Sequence, residues 1–310
     1  MNIEDKIQSY LHEQGISGEL IAEVKEFRAK YEVDPLVSER IVDPAMPFYG
    51  KDTLETALTA ILQGENLLLS GGKATGKNVL CETLSWIFRR PAYDISFHVN
   101  TDSASLIGTD TFRDNEVQLR KGPVYQCAEF GGFGVLDEIN MAKNDAVSVL
   151  HATLDHRRRI DVPGYDRIVL HPATRFIGTM NQGYAGTREL NEALVSRFLV
   201  VDMPKLDEET LSFLLRKLFP DMRQDALEQF SGLFLDLQKK ADNGEISTKP
   251  LDLRGMIAGI KTIRSGLSPA KAIRIGILNK SFDVFEKEIE EDVADTRIPR
   301  SWTREDVFKR

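Results

Sequence analysis

The stretch Gly71-Gly72-Lys73-Ala74-Thr75-Gly76-Lys77-Asn78 decides the fold. It follows the apolar run Asn66-Leu67-Leu68-Leu69-Ser70, which reads as a buried strand. It precedes residues 79–88, where Val79, Leu80, Leu84, Ile87 and Phe88 recur at helical spacing. Strand, glycine loop and helix form the setting in which the pattern G-x-x-x-x-G-K-[ST] binds phosphate. The glycines let backbone N–H groups turn inward, and the helix N-terminus adds about half a positive charge where an anion would lie. Lys77 is placed to reach the outer phosphates of a nucleotide. Asn78 departs from the pattern, standing where Ser or Thr would offer a hydroxyl to Mg²⁺. Its amide oxygen is still a hard ligand, so metal binding is expected to be weakened but not lost.

The 310 residues suffice for one large domain or two modest ones. Charged residues make up 28 % of the chain and the net charge is −8, which argues against a general nucleic-acid binder. Two cysteines, Cys81 and Cys127, form no disulfide framework and suggest a reducing, cytoplasmic setting. The start MNIEDKIQSY has no basic segment followed by an apolar run, so no signal peptide is expected. No membrane-length apolar run occurs.

Outward from the loop, residues 1–45 read as a helical extension, either packing on the body or offering a docking surface. An amphipathic helix over residues 53–62 leads into the first strand. Residues 93–99 alternate as a second strand, and about 108–124 read as an inserted hairpin around the turn pair Asp114-Asn115, closed by Gly122-Pro123. The third strand, Phe133-Gly134-Val135-Leu136-Asp137-Glu138, ends in two acids. Taken alone, Asp137 could simply cap the strand end. Downstream of a phosphate loop it reads as the acid that holds Mg²⁺, and Glu138 as the base that orients or deprotonates water.

Residues 144–154 predict a helix, and about 157–171 a second hairpin around Pro163-Gly164. Arg157, Arg158 and Arg159 are either a solvated charge run or a surface for a neighbouring subunit or threaded partner. Residues 174–181 form a fourth strand ending at Asn181, and 198–203 a fifth. Asn181 could simply cap the turn that follows, but carboxyl ends of strands line the ligand crevice of a doubly wound sheet, where it would lie near the γ-phosphate and the attacking water. Beyond Pro204 the pattern turns helical over 205–285, a small helical lid, and 286–310 read as a charged peripheral tail.

This set resembles the AAA+ ATPases, and the two hairpins resemble the MoxR branch with its CbbQ, NirQ and GvpN relatives. The resemblance is clearest from Gly71 to Phe198, through Gly134-Val135-Leu136-Asp137-Glu138-Ile139-Asn140, Leu154-Asp155-His156-Arg157-Arg158 and Glu192-Ala193-Leu194-Val195-Ser196-Arg197-Phe198. It implies a P-loop three-layer α/β/α domain over 46–204 with a parallel five-stranded sheet, followed by the lid. It implies that Gly71 to Asn78, with Val79, are Walker A, Asp137 and Glu138 Walker B, and Asn181 sensor 1. Arg197 matches an arginine finger acting on the neighbouring subunit, assisted by Arg188, and Arg254 matches sensor 2. Lys73-Ala74 replaces the proline and glycine common in that loop. The resemblance further implies ATP and Mg²⁺ as cofactors, with Asn78 and Asp137 as metal ligands. It also implies a homo-oligomeric ring, commonly a hexamer, a partner carrying a von Willebrand factor A domain, and chaperone-like remodelling of a client protein. Two other readings stand beside it. One is a scaffold that binds ATP but scarcely hydrolyses it, motivated by Asn78; the other is a nucleic-acid motor or GTP-specific relative, motivated by Arg157–Arg159 and opposed by the charge. The base pocket is expected within residues 41–49.

Overall fold

The computed structural model describes residues 2–113, 115–162, 164–181 and 189–309. In chain order, α1 (Ile3–Glu13), α2 (Gly18–Lys30) and α3 (Lys51–Leu62) precede β1 (Leu67–Gly71) and α4 (Lys77–Phe88). Then come β2 (Ala92–Ser96), α5 (Ser103–Ile107), β3 (Gly108–Arg113), β4 (Glu116–Lys121), α6 (Pro123–Phe130) and β5 (Phe133–Asp137). The chain continues through α7 (Asn144–Val147), α8 (His151–Leu154), β6 (Arg159–Ile160), β7 (Ile168–Val169), β8 (Arg175–Asn181), α9 (Glu192–Val195) and β9 (Leu199–Asp202). Six helices follow: α10 (Glu208–Leu218), α11 (Gln224–Asp242), α12 (Leu253–Arg264), α13 (Pro269–Gly276), α14 (Val284–Arg297) and α15 (Arg304–Val307).

Two compact units emerge. The first runs to Gly72 and resumes over Gly76–Met203; the second holds Lys73–Thr75 and the chain from Pro204 onward. The first is a five-stranded sheet in the order β2-β5-β8-β1-β9, every pairing parallel. Alternate side chains of its strands enter different cores. Leu67 and Leu69 join Phe133, Val135 and Ile177 on one face, against α1 to α4. Leu68 joins Leu136 and Phe176 on the other, against α5 and α6. With both faces covered the strands must be apolar throughout, which is why β1 is a continuous leucine run. The result is the expected α/β/α layering.

Both inserted hairpins form. β3 pairs with β4 from Gly108↔Lys121 to Arg113↔Glu116, leaving Phe112 and Val117 exposed. The second hairpin is shorter than expected, two residues in each strand, and Tyr165 Oη beyond its turn donates to Asp110 Oδ1 at 2.7 Å. Asp114 and Pro163, expected in the turns, lie outside the described residues. Gly122-Pro123 closes the first hairpin: β4 ends at Lys121, and the Gly122 N–H donates to the Ile107 carbonyl at 2.7 Å. Pro123 opens α6, where its missing N–H costs nothing. A Cβ on Gly122 would come within 2.5 Å of the Leu106 carbonyl, so only glycine fits this crossing. The helix expected over 144–154 forms as one helical run, with a 3₁₀ turn over 148–150 between α7 and α8 and right-handed helical backbone at both junctions.

The triple arginine run corrects both sequence readings at its centre. Arg158 has a left-handed φ of 44° and turns inward, donating to the carbonyls of Thr174 (2.9 Å) and His171 (3.3 Å). Arg157 pairs with Asp155 and Arg159 with Asp161.

The second unit is helical from α10 to α15 around a single apolar cluster. The segment 286–310, expected as a peripheral tail, contributes to that cluster through its described residues. Ala294, Ile298, Val307 and Phe308 are buried, and Ile289 and Val293 pack against it. Apart from the buried Glu290, the charged residues of α14 are exposed or half-buried, so overall composition hid its apolar positions. Among the described residues, no helix is long and apolar enough to cross a membrane.

Candidate active site

Parallel pairing brings the carboxyl ends of the strands to one edge. Gly71, the last residue of β1, is in register with Asn181, the last of β8. Asp137, the last of β5, is in register with Ser96. The loop after β1 passes through two left-handed residues, Ala74 (φ 62°) and Gly76 (φ 83°). The sequence reading missed the first, since Ala is rarely left-handed. Lys77 then opens α4, only 8 % exposed, and its Nζ donates to the carbonyls of Gly72 (2.7 Å) and Gly71 (3.0 Å). Burial lowers the pKa of this ammonium, while Asp137 and then Glu138 oppose that shift. The lysine and both acids of the strand end therefore share one electrostatic site. Asn78 is exposed and Val79 half-buried on the same first turn.

Phe48 falls within the stretch expected to hold the base pocket. A Cβ on Gly76 would lie 3.2 Å from the Phe48 ring, so the ring packs directly on the loop. Phe48 is fixed from both sides: its N–H donates to Thr83 Oγ1 at 2.8 Å, and Tyr10 Oη donates to its carbonyl. The N-terminal helices thus brace the phosphate loop.

The acids are held by a polar ring that crosses from β5 to β8. Thr179 Oγ1 donates to Asp137 Oδ1 at 2.6 Å and accepts the Glu138 N–H at 3.0 Å. Asn181 Nδ2 donates to Glu138 Oε1 at 3.1 Å. Asn140 Nδ2 donates to the Asn181 carbonyl at 3.0 Å. Glu138 is left-handed, with φ 54° and ψ 44°, a conformation that costs roughly 1–3 kcal/mol for a non-glycine residue and concentrates at functional sites. Sequence reasoning gave Thr179 and Asn140 no role. The signal was present: Thr179 and Asn181 are two apart on one strand, so their side chains share a face.

The arginines are arranged differently. Arg197 precedes β9, whose first residue Leu199 is in register with Leu67, the first of β1. It therefore belongs to the opposite edge of the sheet, four residue steps or roughly 13 Å from the Gly71 end at about 3.3 Å per residue. Its Nε donates to the His151 carbonyl at 3.1 Å, an Nη donates to the Ala193 carbonyl, and Nη2 lies 3.7 Å from Asp155 Oδ2. Hydrogen bonds from Arg157 hold the Asp155 carboxyl down at a pKa of about 2. Arg188 lies outside the described residues. Arg254 is exposed near the start of α12 in the second unit.

The residues at the strand ends fit a magnesium–nucleotide pair. The candidate metal donors, the Asp137 carboxylate and the Asn78 amide, are hard oxygen ligands. Among the described residues no three His, Cys, Asp or Glu cluster to hold a metal unaided. Mg²⁺ suits that economy, because it is commonly held by one or two carboxylates together with substrate phosphates. The left-handed loop and the Lys77 ammonium provide for the phosphates themselves.

The model of an AAA domain of the dynein-related subfamily matches residues 66–198. The uncharacterized protein YojN of Bacillus subtilis (strain 168) is 32 % identical over 246 residues, covering 77 % of this chain and 80 % of that protein. An uncharacterized protein of Staphylococcus aureus is 31 % identical over 232 residues, covering 72 % of this chain and 87 % of its own. Among solved structures, a point mutant of RuvB from Thermotoga maritima superposes with a TM-score of 0.50 at 14 % identity, over 80 % of this chain and 71 % of that one. At that identity the likeness is one of fold.

Proposed function

The chain belongs to the AAA+ ATPases, through an AAA domain of the dynein-related subfamily, and from that premise we propose that it is a MoxR-type, ring-forming enzyme that couples hydrolysis of Mg·ATP to remodelling of a partner protein. One observation carries the reading: Lys77, Asp137, Glu138 and Asn181 converge at one sheet edge, with Glu138 already hydrogen-bonded to Asn181.

Lys77 exchanges the Gly71 and Gly72 carbonyls for phosphate oxygens, while the left-handed loop turns its N–H groups inward. Asp137 and Asn78 would hold Mg²⁺, which would neutralise charge on the phosphates. Glu138 accepts a proton from the attacking water, and Asn181 keeps its carboxylate aimed. Phe48 walls the loop at Gly76 and forms part of the base pocket. Arg197 completes the site of a neighbouring subunit, because its own sheet places it at the far edge from Gly71. Arg188 assists it, and Arg254 reads the γ-phosphate. A homo-oligomeric ring, commonly a hexamer, a von Willebrand factor A domain partner and a client protein follow from the MoxR resemblance, and the two cysteines, outside any disulfide framework, fit a cytoplasmic setting.

The test is complementation between two inactive variants. Glu138→Gln keeps the finger and loses the base; Arg197→Ala keeps the base and loses the finger. Each alone is expected to be nearly inactive, the second by roughly 10³–10⁵ in rate. Mixing them should restore part of the turnover, since a finger from one completes the site of the other. Activity retained by Arg197→Ala alone would rule out the shared site. Asn78 favours a second reading, a scaffold that binds nucleotide without turning it over. Tight ATP binding with no hydrolysis in an assembled ring would select it.

A further inference from the structure

Thr179 is almost wholly buried, 1 % exposed, on β8 between the acids of β5 and Asn181. Its hydroxyl has one proton to donate and gives it to Asp137 Oδ1 at 2.6 Å. The lone pairs of the same oxygen accept the Glu138 N–H at 3.0 Å. One atom therefore fixes two things: the rotation of the Asp137 carboxylate, and the backbone of Glu138 in its left-handed conformation. A left-handed Glu persists only where its surroundings over-determine it. The Asn181 amide holds the other end of the same residue.

Resting on the ATPase reading above, we infer that Thr179 is the positioning residue that couples the metal-holding acid to the base. The loop position that would ordinarily place a hydroxyl on the metal carries Asn78, whose side chain is exposed. Asp137 is then the only carboxylate assigned to the metal, and its orientation decides how well the metal is held. With its proton given to Oδ1, the Thr179 hydroxyl leaves Oδ2 for the metal. The hydroxyl acts through the two acids, and groups that orient ligands in this way are commonly worth about 10–100-fold in metal affinity or activity.

The experiment compares Thr179→Val, which keeps the shape and removes the hydroxyl, with Thr179→Ser, which keeps the hydroxyl and removes the methyl. Two quantities are read in the full chain: binding of a fluorescent ATP analogue with and without Mg²⁺, and turnover as a function of Mg²⁺ concentration. Thr179→Val should bind the analogue in EDTA as the parent does, lose most of the gain in affinity that Mg²⁺ brings, and fall about 10–100-fold in kcat. Thr179→Ser should stay close to the parent in both. A Thr179→Val protein with the parent's Mg²⁺ gain and turnover overturns the inference. So does a Thr179→Ser protein as impaired as Thr179→Val, which would make the methyl's packing the cause. Glu138→Gln, run alongside, separates the two levels. If it is inactive while Thr179→Val is normal, the positioning role fails and the ATPase reading stands. If the parent binds no analogue at all, both fall.

Discussion

Replacing Arg90 by Leu should cost about 3–5 kcal/mol of stability, although the residue is far from any chemistry. Arg90 is fully buried at the end of the loop after α4. Its Nε donates to the Gly131 carbonyl at 2.7 Å, Nη1 to Tyr31 at 2.7 Å and Nη2 to Phe130 at 3.0 Å. Tyr31 caps the C-terminus of α2, and Phe130 and Gly131 end α6. The guanidinium thus joins the negative ends of two helices that lie on different faces of the sheet. Leucine would leave three carbonyls without this donor, each worth about 1–3 kcal/mol if it stays buried and unpaired. Part of that loss is offset because a cation no longer has to be desolvated, the same burial that lowers the Arg90 pKa. The net should move the urea midpoint of the first unit by about 1–2.5 M, at a slope of about 2–3 kcal/mol/M. Limited proteolysis should also open the segment just after α2, as its C-terminal anchor is lost. Lysine should fare little better, since it cannot serve three carbonyls from a rigid fork. A midpoint within about 0.3 M of the parent would refute this account of the N-terminal helices as an integral brace.

Further outcomes follow from other contacts. Gly76→Ala adds a Cβ at φ 83°, 3.2 Å from the Phe48 ring, and should lower nucleotide affinity about tenfold or more, with about 1–2 kcal/mol lost in stability, read by titration and thermal melting. Asp155→Asn removes the carboxylate near Arg197 and should reduce turnover in the assembled protein while leaving nucleotide affinity unchanged. Because the Asp155 pKa is depressed to about 2, its stabilising effect is present above the ordinary value of 3.8 and disappears as pH falls towards 2; stability curves of parent and Asp155→Asn should converge there. Glu290 behaves oppositely. It is buried, Oε1 accepts from Ser281, and Oε2 has no partner among the described residues, so burial raises its pKa. Its ionisation costs stability as pH rises above the ordinary 4.5, so Glu290→Gln should raise Tm at pH 7.5 and lose that advantage below pH 4.5, read by thermal melting at the two pH values.

Much of this protein was legible because its central strands are buried on both faces. Such strands must be short apolar runs, so Leu67-Leu68-Leu69 and Phe133-Gly134-Val135-Leu136 announced themselves. The polar residues that end them, Asp137 and Asn181, were conspicuous against that background. What stayed hidden depended on contacts remote in sequence. Gly122-Pro123 marks the end of the hairpin in the sequence, yet only the crossing with Leu106 and the helix that follows explain why it is glycine and then proline. The inward turn of Arg158 needed the carbonyls of His171 and Thr174 to be nearby. Thr179 looked like an ordinary strand residue until β5 was seen beside it. Arg197 could be picked out by pattern, but not its bonds to His151 and Ala193, which the fold of 151–197 creates.

The most direct test of the central claim is Mg²⁺-dependent ATP turnover per subunit across a protein dilution series, with Lys77→Ala beside the parent. A site completed by a neighbour predicts turnover that rises steeply with protein concentration and vanishes in Lys77→Ala. Turnover that is constant per subunit down to the monomer, or that survives Lys77→Ala, would contradict it.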